Sequence, residues 1–196
     1  PSTGRDSLQF VNELYAAGVR AFVVPRGFES SLNAAECPKA AFLVVDNTLD
    51  ALQRLAGAYR AQFDLPVVGI TGSNGKTVVK EWLYQLLRED YQIARSPKSY
   101  NSQIGVPLSL WGLSENKNLA LIEAGISLPG EMSRLERIIR PTIGVFTGLG
   151  AAHQENFGNL QEKCADKAKL FSRCDVLVWN SDDETVVKVL SNFAGK

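Results

Sequence analysis

The sequence has no excess of charge of either sign, since 21 lysine and arginine residues balance 21 aspartate and glutamate residues. Binding a polyanion requires a concentrated basic face, so this balance removes the electrostatic argument for a nucleic-acid partner. No apolar run approaches the roughly 20 residues that a membrane-spanning helix needs, and no signal-peptide pattern opens the chain. We therefore expect a protein that neither binds nucleic acid nor inserts into a membrane.

Cysteine is also scarce. The three cysteines, Cys37, Cys164 and Cys174, cannot all pair, and their spacings match no zinc or redox motif. Free thiols in a reducing compartment explain this pattern and predict a cytoplasmic protein. The chain starts at Pro1 without a methionine and ends at Lys196 straight after a helical pattern, which predicts a fragment of something longer.

What the sequence does contain is apolar runs that alternate with segments of helical period. The runs predict strands at 21–24, 41–45, 67–70, 119–123, 142–147 and 175–179, and the periodic segments predict helices at 6–17, 48–62, 76–89, 129–139, 159–173 and 183–193. Hydrophobic residues make up 45% of the chain, enough for a real core. This alternation predicts an α/β fold, a mostly parallel sheet with helices on both faces.

Two local signals refine the organisation. Pro66 breaks the helix before it, which predicts a small α/β unit at 1–64 and a larger unit at 65–196. Asn47 or Thr48 is the candidate N-cap of the second helix, because short polar side chains accept hydrogen bonds from the free N–H groups there.

A glycine-rich loop joins the strand at 67–70 to the next helix, with the sequence Thr71-Gly72-Ser73-Asn74-Gly75-Lys76-Thr77. Glycines allow several backbone N–H groups to point at phosphate oxygens, and the helix N-terminus adds partial positive charge. Lys76 would neutralise the β- and γ-phosphates, and the Thr77 hydroxyl would ligate Mg²⁺. The general phosphate-loop pattern also has a glycine five residues before Gly75, where this chain has Ile70.

Further candidate residues follow other predicted strands. Glu123 ends the buried run 119–123, where ligands of open α/β sheets bind, so its carboxylate is well placed to hold Mg²⁺. His153, the single histidine, follows the strand at 142–147 and a turn of small residues. Spacing alone does not assign His153 a role. On spacing alone, Asn101 is a cap or turn residue and Lys167 is a solvated helix residue.

Four blocks together resemble the Mur ligases, which are ATP-dependent amide-forming enzymes of peptidoglycan precursor synthesis. They are the phosphate loop, whose family form also lacks the early glycine; Asn101 with Ile104-Gly105-Val106-Pro107; Glu123-Ala124-Gly125 with Pro129-Gly130-Glu131-Met132; and Ala152-His153 with Phe157-Gly158 and Lys167. The resemblance is strong over 66–183 and weak over the first 60 residues. It is greatest to the branch that adds D-alanyl-D-alanine, including the form fused to an alanine racemase.

The resemblance implies roles for these residues. Lys76 would bind the phosphates of ATP, Thr77 and Glu123 would hold one Mg²⁺, and His153 would help to hold a second. Lys167 matches the family lysine that CO₂ converts to a carbamate ligand of the second metal; Lys169 is its rival. Asn101 would lie near the nucleotide and the acyl phosphate.

The resemblance also implies a reaction and a domain organisation. ATP would phosphorylate the terminal carboxylate of UDP-N-acetylmuramoyl-tripeptide, and the amine of D-alanyl-D-alanine would attack the acyl phosphate. Residues 1–64 would end the UDP-substrate domain and 65–196 would form part of the ATP-binding central domain. The C-terminal ligase domain would be absent, so we expect the fragment alone to be inactive and to bind ATP weakly.

Two alternatives stay open. One is a folylpolyglutamate synthase or another amino-acid ligase of the family, although the position before the histidine, usually aspartate in the synthase, is Ala152. The other is a phosphate-loop binding module without ligase activity. Such a module would need a paired acidic motif after a strand, and the run that ends at Glu123 supplies a single carboxylate.

Overall fold

The computed structural model describes residues 7–28, 36–150 and 154–191. Its helices are α1 Val11–Ala16, α2 Thr48–Arg60, α3 Lys76–Leu87, α4 Gly105–Leu110, α5 Glu131–Ile139, α6 Leu160–Ala168 and α7 Glu184–Leu190. Its strands are β1 Ala21–Pro25, β2 Ala41–Val45, β3 Val67–Thr71, β4 Ile93–Arg95, β5 Leu119–Glu123, β6 Ile143–Phe146 and β7 Val176–Trp179. No helix among these residues is long and apolar enough to cross a membrane.

The chain divides into two compact units, residues 1–52 and 53–196. In the first, a 3₁₀ turn and α1 precede the parallel pair β1 and β2, where the rings of Phe22 and Phe42 stack 5.4 Å apart. The amide groups of Leu49 and Asp50 donate to Oδ1 of Asn47, which confirms Asn47 as the N-cap of α2. The division at 64 remains a prediction about the domains of the whole protein.

The second unit is built on a five-stranded sheet of order β4-β5-β3-β6-β7 in which every pairing is parallel. The central strands β3 and β5 are buried at every position, as expected when helices cover both faces. The predicted α/β fold is therefore confirmed. The edge strand β4 was not predicted, because three residues carry too little periodicity.

Helices do pack on both faces of this sheet. Val68 and Ile70 point to one face, where they meet apolar side chains of α3. Val67 points to the other face, within a larger core that includes side chains from α4, α5, α6 and α7. The helix predicted at 159–173 ends earlier, as α6 followed by a 3₁₀ turn at Lys169–Phe171.

Gly144 of β6 lets this 3₁₀ turn lie close to the sheet. A Cβ at this position would overlap the ring of Phe171 and lie 2.8 Å from Cδ1 of Leu177. We therefore expect Gly144→Ala to lower the free energy of unfolding by about 1–3 kcal/mol through overpacking. Urea unfolding followed by circular dichroism measures this change, and unaltered stability would show that the ring relaxes freely.

Candidate phosphate and metal site

The loop 72–75 runs from the end of β3 to the first turn of α3, at the carboxyl edge of the sheet. Gly72 has φ +146° and Gly75, the N-cap of α3, has φ +80°. Residues that carry a side chain rarely adopt these left-handed φ values, and a Cβ at Gly72 would also overlap Oγ1 of Thr147. The two glycines are thus required by the backbone path that forms the cradle.

The segment after β6 holds this loop in place. The amide of Ser73 donates to the carbonyl of Gly148 at 2.8 Å, and its hydroxyl donates to Gly150 at 3.1 Å. Oγ1 of Thr147 donates to the carbonyls of Thr71 and Asn74. These bonds, one from a main-chain amide and three from side-chain hydroxyls, all end on main-chain carbonyls and hold the cradle in shape, which reduces the entropy cost of binding.

Lys76 folds back over the loop that precedes it. Its Nζ donates to the carbonyls of Gly72 at 2.9 Å and Ser73 at 3.3 Å. Burial lowers the pKa of this amine, Glu123 acts in the opposite direction, and Lys163 lowers the pKa further. A cation thus lies directly above the cradle, where phosphate charge would be placed.

A carboxylate and three polar side chains converge beside Lys76. Oε2 of the fully buried Glu123 accepts from Oγ1 of Thr77 at 3.1 Å and from Nδ2 of Asn101 at 3.3 Å. The hydroxyls of Thr77 and Ser99 lie 3.2 Å apart. The structure therefore brings together Thr77, Glu123 and Asn101, which are separate in sequence.

Lys80 is a participant that the sequence did not indicate. It is fully buried, and its Nζ lies 3.0 Å from Oε1 of Glu123. The contact is an ion pair only, because no described donor approaches Oε1 at a hydrogen-bonding angle. One signal could have located it: Lys80 follows Lys76 by four residues, so the two lie on the same face of α3.

Two lysines of α6 reach the same site from the opposite side. Nζ of Lys167 donates to the carbonyl of Gly72 at 3.2 Å, and Nζ of Lys163 donates to Gly150. Burial, then the positive charges of Lys76 and Lys163, lower the pKa of Lys167 to about 8. Lys169, by contrast, pairs with Asp166 and has a side chain 47% exposed. The contacts of Lys167 therefore favour it over its rival.

Not every predicted ligand can be placed. His153 lies outside the described residues, as does Ala152. Within the residues that are described, no three His, Cys, Asp or Glu side chains group to hold a metal ion. The three cysteines are free thiols, with Cys37 and Cys164 buried.

The donor set nevertheless fits one magnesium ion. Mg²⁺ prefers oxygen ligands and usually binds through one or two protein groups, with waters and substrate phosphates completing its shell. Oγ1 of Thr77 and Oε2 of Glu123 are such oxygens, and both lie at the edge of the cradle. As an ammonium group, Lys167 has no lone pair to offer a cation, and its neutral amine is a nitrogen donor that Mg²⁺ does not favour, so a second Mg²⁺ would need a change in its chemistry.

Comparison with known proteins identifies the family of the chain. Residues 70–196 match the family model of the Mur ligase middle domain. The chain is 36% identical over 154 residues, 79% of its length and 33% of the relative's, to UDP-N-acetylmuramoyl-tripeptide–D-alanyl-D-alanine ligase of Bacillus subtilis. Among solved structures, MurF of Thermotoga maritima in complex with ADP superposes with a TM-score of 0.84 at 27% identity, over 98% of this chain and 44% of that one.

A more distant solved structure shares only the fold with this chain. A point mutant of L. casei FPGS gives a TM-score of 0.56 at 14% identity over 76% of this chain and 48% of that one, which shows a shared fold alone. The chain thus spans between a third and a half of the length of the proteins it matches. Since the family model covers residues 70–196, more than half of the chain, this chain belongs to the Mur ligase family.

Proposed function

We propose that this chain supplies the ATP-binding part of a ligase that joins D-alanyl-D-alanine to the tripeptide of UDP-N-acetylmuramoyl-tripeptide. The observation that carries the proposal is the meeting of Lys76, Glu123 and Lys167 around one phosphate cradle. A B. subtilis relative is named for this reaction, and the T. maritima structure contains ADP. A cytoplasmic location and a fused alanine racemase remain predictions.

The first step would activate the tripeptide. A terminal carboxylate oxygen attacks the γ-phosphorus of ATP, the bond from that phosphorus to its bridging oxygen breaks, and ADP leaves. The loop amides and Lys76 orient the phosphates and stabilise the charge that moves onto the β-phosphate. Thr77 and Glu123 would hold Mg²⁺, which when bound screens the negative charge of the phosphates.

The second step would form the amide. The amine of D-alanyl-D-alanine attacks the carbonyl carbon of the acyl phosphate, phosphate departs, and the nitrogen loses a proton. Asn101, whose side-chain amide donates to Glu123, would contact the acyl phosphate. The enzyme supplies positioning and charge, and no protein nucleophile is required.

Lys167 would serve this site as a carbamate. A lysine with a pKa of about 8 has far more neutral amine near pH 7 than an ordinary lysine does. The neutral nitrogen attacks the carbon of CO₂ and loses a proton, which replaces a cation by an anionic oxygen donor. With His153, the carbamate would hold a second Mg²⁺.

The test is ADP release by the whole protein. We expect release to require both UDP-N-acetylmuramoyl-tripeptide and D-alanyl-D-alanine, with an amide product seen by mass spectrometry. Release with a folate and glutamate instead would identify a folylpolyglutamate synthase. Hydrolysis of ATP that responds to no carboxylate and amine pair would contradict the proposal and favour a nucleotide-binding module.

A further inference from the structure

Lys80 is a buried cation that the reaction above leaves without a role. Its Nζ donates to the carbonyl of Ser96 at 2.7 Å and to that of Lys98, while Oε1 of Glu123 lies 3.0 Å away and Oε1 of Glu81 3.1 Å away. An ammonium group has three donors and no acceptor; two of them go to these carbonyls, and its charge pairs with the two carboxylates. Lys80 thereby joins α3, the segment after β4 and the end of β5.

The segment that Lys80 holds is the one that carries the neighbours of Glu123. The hydroxyl of Ser96 accepts from the amide of Glu123 at 3.0 Å, and Ser99 lies against Thr77. Lys98 has φ +47°, a left-handed value that is unfavourable for a residue with a side chain. The bond from Lys80 to its carbonyl helps to retain this conformation, and the chain then delivers Asn101 to Glu123.

The two oxygens of Glu123 are divided between these partners. Oε1 faces Lys80, and Oε2 faces Thr77 and Asn101 at the edge of the cradle. If the carboxylate rotated, the oxygen that faces the cradle would change its position relative to Thr77. Because Glu123 is fully buried, solvent cannot replace Lys80 as the partner that fixes this rotation.

We propose that Lys80 is a positioning residue for the metal site: it fixes Glu123 and the 96–101 segment so that Oε2 and Oγ1 of Thr77 present a preformed pair of ligands to Mg²⁺. The inference rests on the proposed function, since it assumes that Mg²⁺ and a nucleotide bind at this cradle. It is separable from that function, because the polar contacts of Lys80 go to its two glutamates and the 96–101 segment rather than to the loop 72–75 in which the phosphates would lie.

A second buried glutamate in the same unit provides the matched control. Glu136 is 5% exposed, and its Oε1 lies 3.3 Å from Nε of Arg173. Arg173→Met removes the cation from this glutamate just as Lys80→Met removes it from Glu123. The Arg173 side chain is 63% exposed, so the two pairs share the buried carboxylate rather than the burial of the cation. Both changes leave a buried carboxylate without its cation and lower stability, but only Lys80→Met should alter the response to metal.

The experiment measures ADP affinity by calorimetry, with Mg²⁺ and with EDTA, in the wild-type protein and in both variants. The ratio of the two affinities is the gain due to metal. We expect Lys80→Met to reduce this gain by about 10-fold or more, as partners that orient metal ligands typically do. ADP affinity in EDTA should change by less than about twofold, because the loop amides and Lys76 remain. Arg173→Met should leave the gain unchanged.

Several results would overturn the inference. One is a gain from Mg²⁺ that is unaltered in Lys80→Met. Another is a loss of ADP affinity in Lys80→Met that is as large in EDTA as in Mg²⁺, which would show general damage to α3. A third is an equal reduction in Arg173→Met. If the wild-type protein shows no gain from Mg²⁺, the proposed nucleotide site fails and this inference fails with it. Should Lys80→Met not fold, Lys80→Arg keeps the charge but not the compact ammonium, and an undiminished gain there also contradicts the inference.

Discussion

Replacing Lys76 with methionine is expected to lower the rate of ADP release by about 10²–10³-fold, the usual cost of removing one group that stabilises charge in the transition state. Methionine keeps much of the length of the side chain and removes only the charge above the cradle. In the structure that charge lies within 3.3 Å of two loop carbonyls, where transferred phosphate would pass. Initial rates at saturating and limiting ATP separate an effect on kcat from one on KM.

The fold should survive this substitution. Burial already lowers the pKa of Lys76, so the charged amine is not a source of stability, and the melting temperature should change little. Lys117→Met is the control, because Lys117 lies before the first residue of β5, at the end of the strand opposite to Glu123. A Lys76→Met protein with wild-type rates would exclude the loop as the phosphate site, whatever the family.

Replacing Lys167 with methionine should reduce ligase activity by at least about 100-fold. Even mutation of a residue that only orients a metal ligand typically lowers metal affinity or activity by about 10- to 100-fold. The wild-type protein supplied with ¹³C-bicarbonate should show a carbamate carbon signal that is absent from Lys167→Met. Lys169→Met should keep both the signal and the activity, because Lys169 pairs with Asp166 rather than with the loop. A carbamate signal lost in Lys169→Met instead would transfer the role to that residue.

The loss of activity in Lys167→Met should not come from unfolding of the variant. The pKa of Lys167 is about 8 in the folded protein, below its ordinary 10.5, so the unfolded chain binds this proton more tightly. The resulting penalty is present in full below pH 8 and disappears as the pH rises toward 10.5. Without CO₂, Lys167→Met should therefore be more stable than wild type at pH 7, by up to about 3 kcal/mol. Denaturant unfolding at pH 7 and pH 10 measures the difference, which should shrink at the higher pH.

The sequence by itself determined the order of most of the elements, though not β4 or α4, and it determined the phosphate loop. Apolar runs and helical periods are local signals, and they placed β3, β5 and α3 within one or two residues of their observed bounds. The loop was identifiable because its glycines, Lys76 and Thr77 are consecutive and their chemistry depends on the backbone nearby. The sequence narrowed the N-cap of α2 to Asn47 or Thr48 for the same reason, since the bonds that Asn47 accepts come from only two and three residues along the chain.

Only the tertiary structure decided which distant side chains share the site. Nζ of Lys167 meets a carbonyl 95 residues away in sequence, and Glu123 receives Thr77 from 46 residues away. Parallel pairing of β3 with β5 and β6 sets these distances, and the pairing is a property of the folded sheet. Lys80 shows the limit most clearly. A lysine on a helix is normally solvated, and only burial beside a buried carboxylate turns it into a structural cation next to the proposed metal site.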